Sequence, residues 1–389
     1  MGRFKRLVMV TADNHNKFYE LSEKDDMTIA RYGRVGQKGV TKTYPLYSFD
    51  EIYEKKIRKG YTDVTNLCEV VPSNGGYAPE KDKAVDALIQ ELMRYSNLAI
   101  KKEYTVSSDA VTPEMVKEAE IILDDLSYYV SCPNEYFINE KLLRLWEVIP
   151  RSMHHVNEML YHEGDDFNKL LDRENDILDV LKARVIVPTK DAKGKSFLEQ
   201  CRCDITKVTE TKRLDEIAKH LDPHTRAFFH GEAFRVHNAK RDKAFEKCVK
   251  DNGYGRDDIH ILYHGTRNRN VLGILKEGPI GNSKATRNGS MFGRAETYLA
   301  PLARKSLRYT SLDGYYTGEQ VGTGFLFTCK AAYSNPKHVY TAQPNATKQN
   351  IAPHDAMYAH KGKVLFNDEI MVYERDRLTI QYLIKLSDR

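Results

Sequence analysis

The stretch Phe366–Leu386, FNDEIMVYERDRLTIQYLIKL, carries the densest structural information in the chain. Its second half alternates: Leu378, Ile380, Tyr382, Ile384 and Leu386 fall on one side, and Thr379, Gln381 and Lys385 on the other. That period of two predicts a half-buried β-strand, with Leu383 breaking the polar face. Ahead of it, Val364–Tyr373 is a second strand-like apolar run, and Asp368-Glu369 stands inside it. A carboxylate turned inward from a strand is costly unless it is paired or functional, whereas at a solvated strand end it costs nothing.

Two further places upstream carry chemistry-bearing side chains. Tyr263-His264-Gly265-Thr266 closes the apolar run Ile259–Tyr263. A glycine after the histidine leaves backbone that a flat ligand can approach, and the same pair also suits an ordinary turn. Tyr298, Lys305, Ser306 and Tyr309 bracket a short predicted helix, where two rings and a hydroxyl can hold a ligand ring or serve as plain packing. With the run Gly324–Cys329, the region after Pro188 reads as a mixed sheet-and-helix domain over 190–389, entered through the polar loop KDAKGK at 190–195.

Residues 80–187 read differently, as all-helical. Val85, Leu88, Ile89 and Leu92 fall at i, i+3, i+4 and i+7. Thr112-Pro113-Glu114 is a helix start for a face of Val116, Ala119, Leu123 and Leu126. A third helix carries Ile138, Leu142, Leu145, Trp146 and Ile149 and stops at Pro150, with Trp146 in the core. Asp172 is the expected cap of the last helix, which carries Ile177, Leu178, Leu181 and Val185.

Residues 1–72 read as a small β-rich unit. RYGRVGQKG at 31–39 places three glycines at a hairpin tip. A helix is expected from Ser48 to Lys59, with Ser48 as N-cap, Glu51 completing a capping box and Gly60 ending it. VPSNGGYAP at 71–79 reads as a linker.

Composition narrows the class. In 389 residues, 41% hydrophobic and 30% charged is the balance of globular domains, not of a disordered chain. No run of about 18 apolar residues occurs, so no membrane partner is expected, and the N-terminal apolar run Leu7–Val10 is too short for a signal peptide. The expectation is an intracellular protein. Six cysteines without C-x-x-C spacing fit reduced thiols, and no metal site is expected. Charge is uneven: 13 Lys+Arg against 10 Asp+Glu in 1–70, 13 against 22 in 80–187, and 34 against 23 in 188–389. An acidic middle suits docking on a basic flank, or only solvated helix faces.

Taken in order, YHGTRNRN, MFGRAETYLA, KSLRY and FNDEIMVY resemble the poly(ADP-ribose) polymerase family, whose signature is His, then Tyr, then Glu on a split β-sheet. The signature residues are His264, Tyr298 and Glu369. Residues 80–187 resemble the helical regulatory domain of the DNA-break-activated members, and RYGRVGQKG resembles the core of a WGR domain, with Tyr32 in place of its tryptophan. RAET places one extra residue between Gly293 and Tyr298, Ser290 stands where an aromatic often covers the adenosine, and the loop 278–290 is short. The resemblance implies a multidomain α+β protein with domains at 1–72, 80–187 and 190–389.

It also implies the reaction: cleavage of the nicotinamide–ribose bond of NAD, used as substrate, and transfer of ADP-ribose to protein acceptors, the chain itself included, or to a growing polymer. An oxocarbenium-like transition state follows. On the resemblance, Glu369 binds the nicotinamide ribose, stabilises the developing charge and orients the acceptor. Gly265 and Ser306 hold the carboxamide, Tyr309 and Tyr298 sandwich the ring, His264 bonds the adenosine ribose, and Lys305 lines the site. Tyr32, Arg34, Lys38 and Lys42 would engage nucleic-acid ends. Asp176 and Asp179, on the last helix of the regulatory domain, would lie against the NAD site and restrain it. Single transfer, NAD hydrolysis, or an inactive nucleic-acid-binding scaffold are the alternatives, and Glu369 favours elongation because single-transfer members often lack it. A nuclear location is expected in a eukaryotic host and a cytoplasmic one otherwise.

Overall fold

The computed structural model describes residues 2–68, 77–106, 111–185, 194–278, 291–293 and 295–388. Ser290, most of the loop 278–290 and most of the expected linker at 71–79 lie outside them, as does part of KDAKGK.

The chain opens with β1 (Phe4–Thr11), β2 (His15–Lys24), β3 (Met27–Arg34), β4 (Val40–Pro45), α1 (Ser48–Ile57), β5 (Thr62–Asp63) and a single turn α2 (Thr65–Cys68). The strands form one antiparallel sheet in the order β4-β3-β2-β1-β5. Leu7, Tyr19, Leu21 and Ala30 pack with Phe49 of α1 on one face. Helices follow: α3 (Lys83–Glu103), α4 (Pro113–Ser127), α5 (Glu135–Val148) and α6 (Phe167–Arg184). Each buries the face its period predicts, and Trp146 is fully buried.

Two local expectations are corrected. Ser48 does not cap α1: a turn closing Phe49 N onto Leu46 O (3.3 Å) already gives Tyr47 helical dihedrals, and no side chain caps the end. The cap of α6 is Asp166, which accepts from Lys169 N at 3.1 Å, so Asp172 lies inside the helix. The early start buries Phe167 and Leu171. By contrast, Thr112 does cap α4, accepting from Met115 N.

Two compact units result, and the division falls inside α3. One unit comprises 1–74 and 97–189, and the other 75–96 and 190–389. In the first, the sheet and its glycine loop are tied to the chain after α5 and to the start of α4. Arg34 donates to His154 O (3.0 Å) and Asn14 Oδ1 (3.3 Å), Val156 N donates to Asn14 Oδ1, and Thr112 Oγ1 donates to Leu67 O (2.7 Å). Arg151 is buried with Glu103 (3.1 Å) and Glu174 (3.5 Å), so the interior of the helical segment holds paired charge.

The second unit continues with α7 (Phe197–Cys201), β6 (Cys203–Lys207), α8 (Thr211–His220), α9 (Pro223–Arg226), β7 (Ala233–Asn238), α10 (Ala239–Asp251), β8 (Ile259–Thr266) and α11 (Val271–Glu277). Then come β9 (Thr297–Leu299), α12 (Ala303–Leu307), β10 (Thr323–Ala332), β11 (Pro336–Val339), α13 (Lys348–Ile351), β12 (Ala356–Ala359), β13 (Glu369–Val372) and β14 (Leu378–Ser387). Two sheets form, ordered β6-β7-β14-β10-β8 and β11-β12-β13-β9. Tyr263 and Ala300 exchange backbone bonds (2.8 and 2.9 Å), joining the edge of the first sheet to the chain just beyond β9.

The strand read as half-buried, β14, is central in its sheet and buried on both faces. Even Thr379 is inside, donating to Asp242 of α10. A bulge opposite Thr328/Cys329 leaves Gln381 unpaired and resets the register, which is why Leu383 sits inside. Of the apolar run Val364–Tyr373, only Glu369–Val372 is strand.

Candidate active site

The join between the two sheets brings the chemistry-bearing residues together. His264 lies on β8, and its Nδ1–H donates to the backbone carbonyl of Tyr298 on β9 (3.1 Å). Gly265 follows, and its lack of a side chain is mandatory: a Cβ there would stand 1.8 Å from the Ser306 carbonyl oxygen. β8 therefore presses onto α12. Ser306 donates its hydroxyl to Tyr263 O (2.9 Å), which keeps the oxygen lone pairs available to a ligand amide.

From the same short helix Lys305 turns inward. Its Nζ lies 2.7 Å from Glu369 Oε1, both residues buried, and 5.6 and 5.4 Å from the ring centres of Tyr309 and Tyr316. Glu369 is thus the inward carboxylate and not a solvated strand end, and its burial is balanced by a cation. Asp368 points elsewhere, accepting from Tyr358 OH (3.0 Å) and Lys361 N (2.7 Å). The Tyr309 hydroxyl titrates above the ordinary tyrosine range, first through burial and then through the charge of Glu369.

Tyr298 pairs with Met371, two residues beyond Glu369. Its hydroxyl accepts from Phe292 N (3.3 Å) and donates to Gly293 O (3.2 Å). Gly293 has φ of +69°, and a Cβ on it would stand 2.1 Å from Ala346 O, so MFG is a required turn. The ring stacked on Tyr309 is Tyr316, at 4.6 Å and 28°. Sequence reading missed it; the only signal was the Gly314-Tyr315-Tyr316 triplet, since a side chain in a loop has no period to betray it.

The amino-terminal residues belong to the first of the two units. Tyr32 stacks on Tyr19 (5.1 Å, 12°), and the Lys56 ammonium lies 3.9 Å over the Tyr19 ring. Arg34 is engaged by Asn14 and His154, while Lys38 and Lys42 are exposed. Asp176 is half-buried and Asp179 exposed on α6. Among the described residues no helix is long and apolar enough to cross a membrane, and no group of three or more His, Cys, Asp or Glu side chains is placed to hold a metal.

Residues 209–358 match the family model for the poly(ADP-ribose) polymerase catalytic domain, and residues 5–67 match the model for the WGR domain. Uncharacterized protein 101L of Invertebrate iridescent virus 6 is 30% identical over 186 residues, 48% of this chain and 79% of the relative. A putative poly(ADP-ribose) polymerase-like protein, 100L, of the same virus is 26% identical over 188 residues, 47% of this chain and 99% of the relative. The poly(ADP-ribose) polymerase of Drosophila melanogaster is 28% identical over 176 residues, 39% of this chain and 17% of the relative. The catalytic-domain match ends at residue 358, before Glu369, which the fold returns to the site through the pairing of Ala359 with Glu369.

Proposed function

The chain belongs to the poly(ADP-ribose) polymerase family and carries that family's NAD+ ADP-ribosyltransferase domain, and we propose that it builds ADP-ribose chains on protein acceptors, itself included, when nucleic-acid ends bind. The observation that carries the reading is Glu369, buried at the start of β13 and ion-paired at 2.7 Å with Lys305. A fixed carboxylate with one oxygen on Lys305 has its other oxygen to accept from a sugar hydroxyl. Its negative charge opposes the positive charge that develops on ribose as the bond to nicotinamide breaks. The lone pairs of Ser306 Oγ and the backbone at Gly265 suit a carboxamide, and the Tyr309 ring offers a stacking surface. His264, oriented by the Tyr298 carbonyl, suits the adenosine ribose.

In the amino-terminal unit, the exposed Lys38 and Lys42 supply phosphate contacts, with Tyr32 beside them. Arg34, bonded to His154 O, links that surface to the helical segment. In this reading the division of labour follows 1–72, 80–187 and 190–389. Asp176 and Asp179 of α6 restrain the NAD site until nucleic acid binds, and the protein works in the nucleus of a eukaryotic host or otherwise in the cytoplasm.

The test is full-length protein with labelled NAD, with and without nicked or blunt-ended DNA, resolved on a denaturing gel. A DNA-dependent ladder supports the reading. A single shifted band reports single transfer, free ADP-ribose reports hydrolysis, and no product reports an inactive scaffold. A ladder of equal intensity without DNA removes the activation step.

A further inference from the structure

Four aromatic rings gather on the second sheet of the catalytic unit, and the site described above uses none of them. His338 on β11 and Tyr358 on β12 are register partners with ring centres 5.4 Å apart. His360, just past β12, lies 4.6 Å from Tyr358 and 5.0 Å from His338, and its Nε2 is 2.8 Å from His338 Nδ1. Tyr340 stacks on His360 at 4.7 Å and 14°. Exposure grades outward, from half-buried Tyr358 and His360 to exposed His338 and a Tyr340 that is 65% exposed.

Packing does not require such an arrangement. A hydrophobic core would gain nothing from two imidazoles at its open end, whereas near-parallel rings with an open outer face suit the stacking of a base. The platform is also held in place. Asp368 accepts from Tyr358 OH and from Lys361 N, fixing both the innermost ring and the turn after His360. Lys361 and Lys363 are exposed beside it.

Position selects the occupant. Ala359 is the register partner of Glu369, so His360 follows directly on the residue opposite the proposed catalytic carboxylate. Asp368, the residue before β13, and Glu369, its first residue, turn to opposite faces, one toward the platform and one toward Lys305. Glu369 opens β13 and His360 follows the end of β12, so the carboxylate and the rings stand at the same end of the sheet on opposite faces, and a polymer leaving Glu369 reaches the rings by passing round that end.

We propose that Tyr358, His360, His338 and Tyr340 form a stacking platform for adenine of an ADP-ribose chain, with Lys361 and Lys363 facing its pyrophosphates. The inference rests on the elongation reading above and names the ligand surface that elongation would use. Adenine on an anionic sugar-phosphate backbone also occurs in RNA, so the two sources are separated in the test.

The test is fluorescence anisotropy of full-length protein with a labelled ADP-ribose oligomer of defined length, beside labelled oligo(A) RNA of matched charge. The variants are His338→Ala/Tyr340→Ala, Tyr340→Phe and Lys361→Ala/Lys363→Ala. The double aromatic variant is expected to lose at least tenfold in oligomer affinity, the loss of a base stack. Tyr340→Phe keeps the ring and should bind like the parent. The lysine variant should bind severalfold more weakly and with a shallower salt dependence. Nicotinamide release in the first turnover should be unchanged in all three, since none lies in the NAD site. Oligomer affinity within twofold of the parent in the double aromatic variant overturns the proposal, as does tighter platform-dependent binding of the RNA or a parent that binds no oligomer. A parent that makes single transfers yet binds oligomer through these rings fails the elongation reading and leaves the platform standing. A parent that makes ladders and whose oligomer affinity ignores the variants does the reverse.

Discussion

Lys305 Nζ stands 2.7 Å from Glu369 Oε1, with both side chains buried and the two residues drawn from a five-residue helix and a four-residue strand. Neither element is long enough to be stable alone, so the pair is positioned by the sheets around it. Each gives the other a partner in a buried site, where a lone carboxylate or ammonium would be costly.

Replacing Glu369 by Gln keeps the shape and a hydrogen-bonding group but removes the charge. Transfer should slow about 100- to 1000-fold, the value of roughly 3–4 kcal/mol of transition-state electrostatics, while NAD binding is nearly retained. Single-turnover nicotinamide release and equilibrium NAD binding check the two halves. Full activity in Glu369→Gln would remove the carboxylate from the mechanism.

Lys305→Met should be more damaging to stability than the double variant Lys305→Met/Glu369→Gln. The single change strands a buried carboxylate, at a cost of about 3–5 kcal/mol, whereas removing both charges is often near neutral. Urea denaturation of parent, single and double variants gives the comparison. An equal loss in the single and double variants would show that the pair carries no such coupling.

Gly265→Ala places a methyl carbon where only 1.8 Å separates it from the Ser306 carbonyl. β8 and α12 must part to admit it. NAD binding should be lost and the melting temperature of the catalytic unit should drop. Parental NAD affinity in this variant would contradict the close approach.

Glu147 on α5 is half-buried against the amino-terminal sheet, where Val10 N–H and the Thr62 hydroxyl face its carboxylate and Arg144 lies at 3.6 Å. Burial raises its pKa above the usual glutamate value, in spite of these partners. The folded protein therefore holds this proton more tightly than the unfolded chain. The stability it contributes is full below the ordinary glutamate range and is lost as pH rises through the raised value. Glu147→Gln removes this dependence, so the melting temperature of the variant minus that of the parent should increase from pH 4 to pH 7. A difference that stays constant or shrinks would mean that Glu147 is not the titrating group.

Charge reversal at Lys38 and Lys42 should weaken binding of broken DNA across all sequences and flatten its salt dependence, by about one phosphate contact per lysine. Filter binding over a salt series reads both. Arg34→Ala tests a separate point: with its bonds to Asn14 and His154 gone, DNA should still bind but stimulate turnover less.

The sequence by itself determined the element types and the motifs. Periods of 3.6 and 2 follow from local geometry, so α4 and α5 were legible, as were the β-rich character of residues 1–72 and the helix start at Thr112. The His264-Gly265, Tyr298 and Glu369 sequence contexts were legible as well, because each depends on its own neighbours in the chain. What the tertiary structure decided is everything that depends on non-local partners. β14 reads as half-buried but is central, because burial of its second face depends on α10 and on a bulge opposite Thr328, neither visible in its own alternation. The bond from Arg34 to His154 O joins residues 120 positions apart, which no local pattern around Arg34 shows. Tyr316 reaches Tyr309 from a loop without a period, and Glu369 finds Lys305 across 64 positions of sequence. Hydrophobic patterning specifies which face of an element is buried, while the pairing of charges and rings is set only when the sheets close and bring distant side chains within bonding distance.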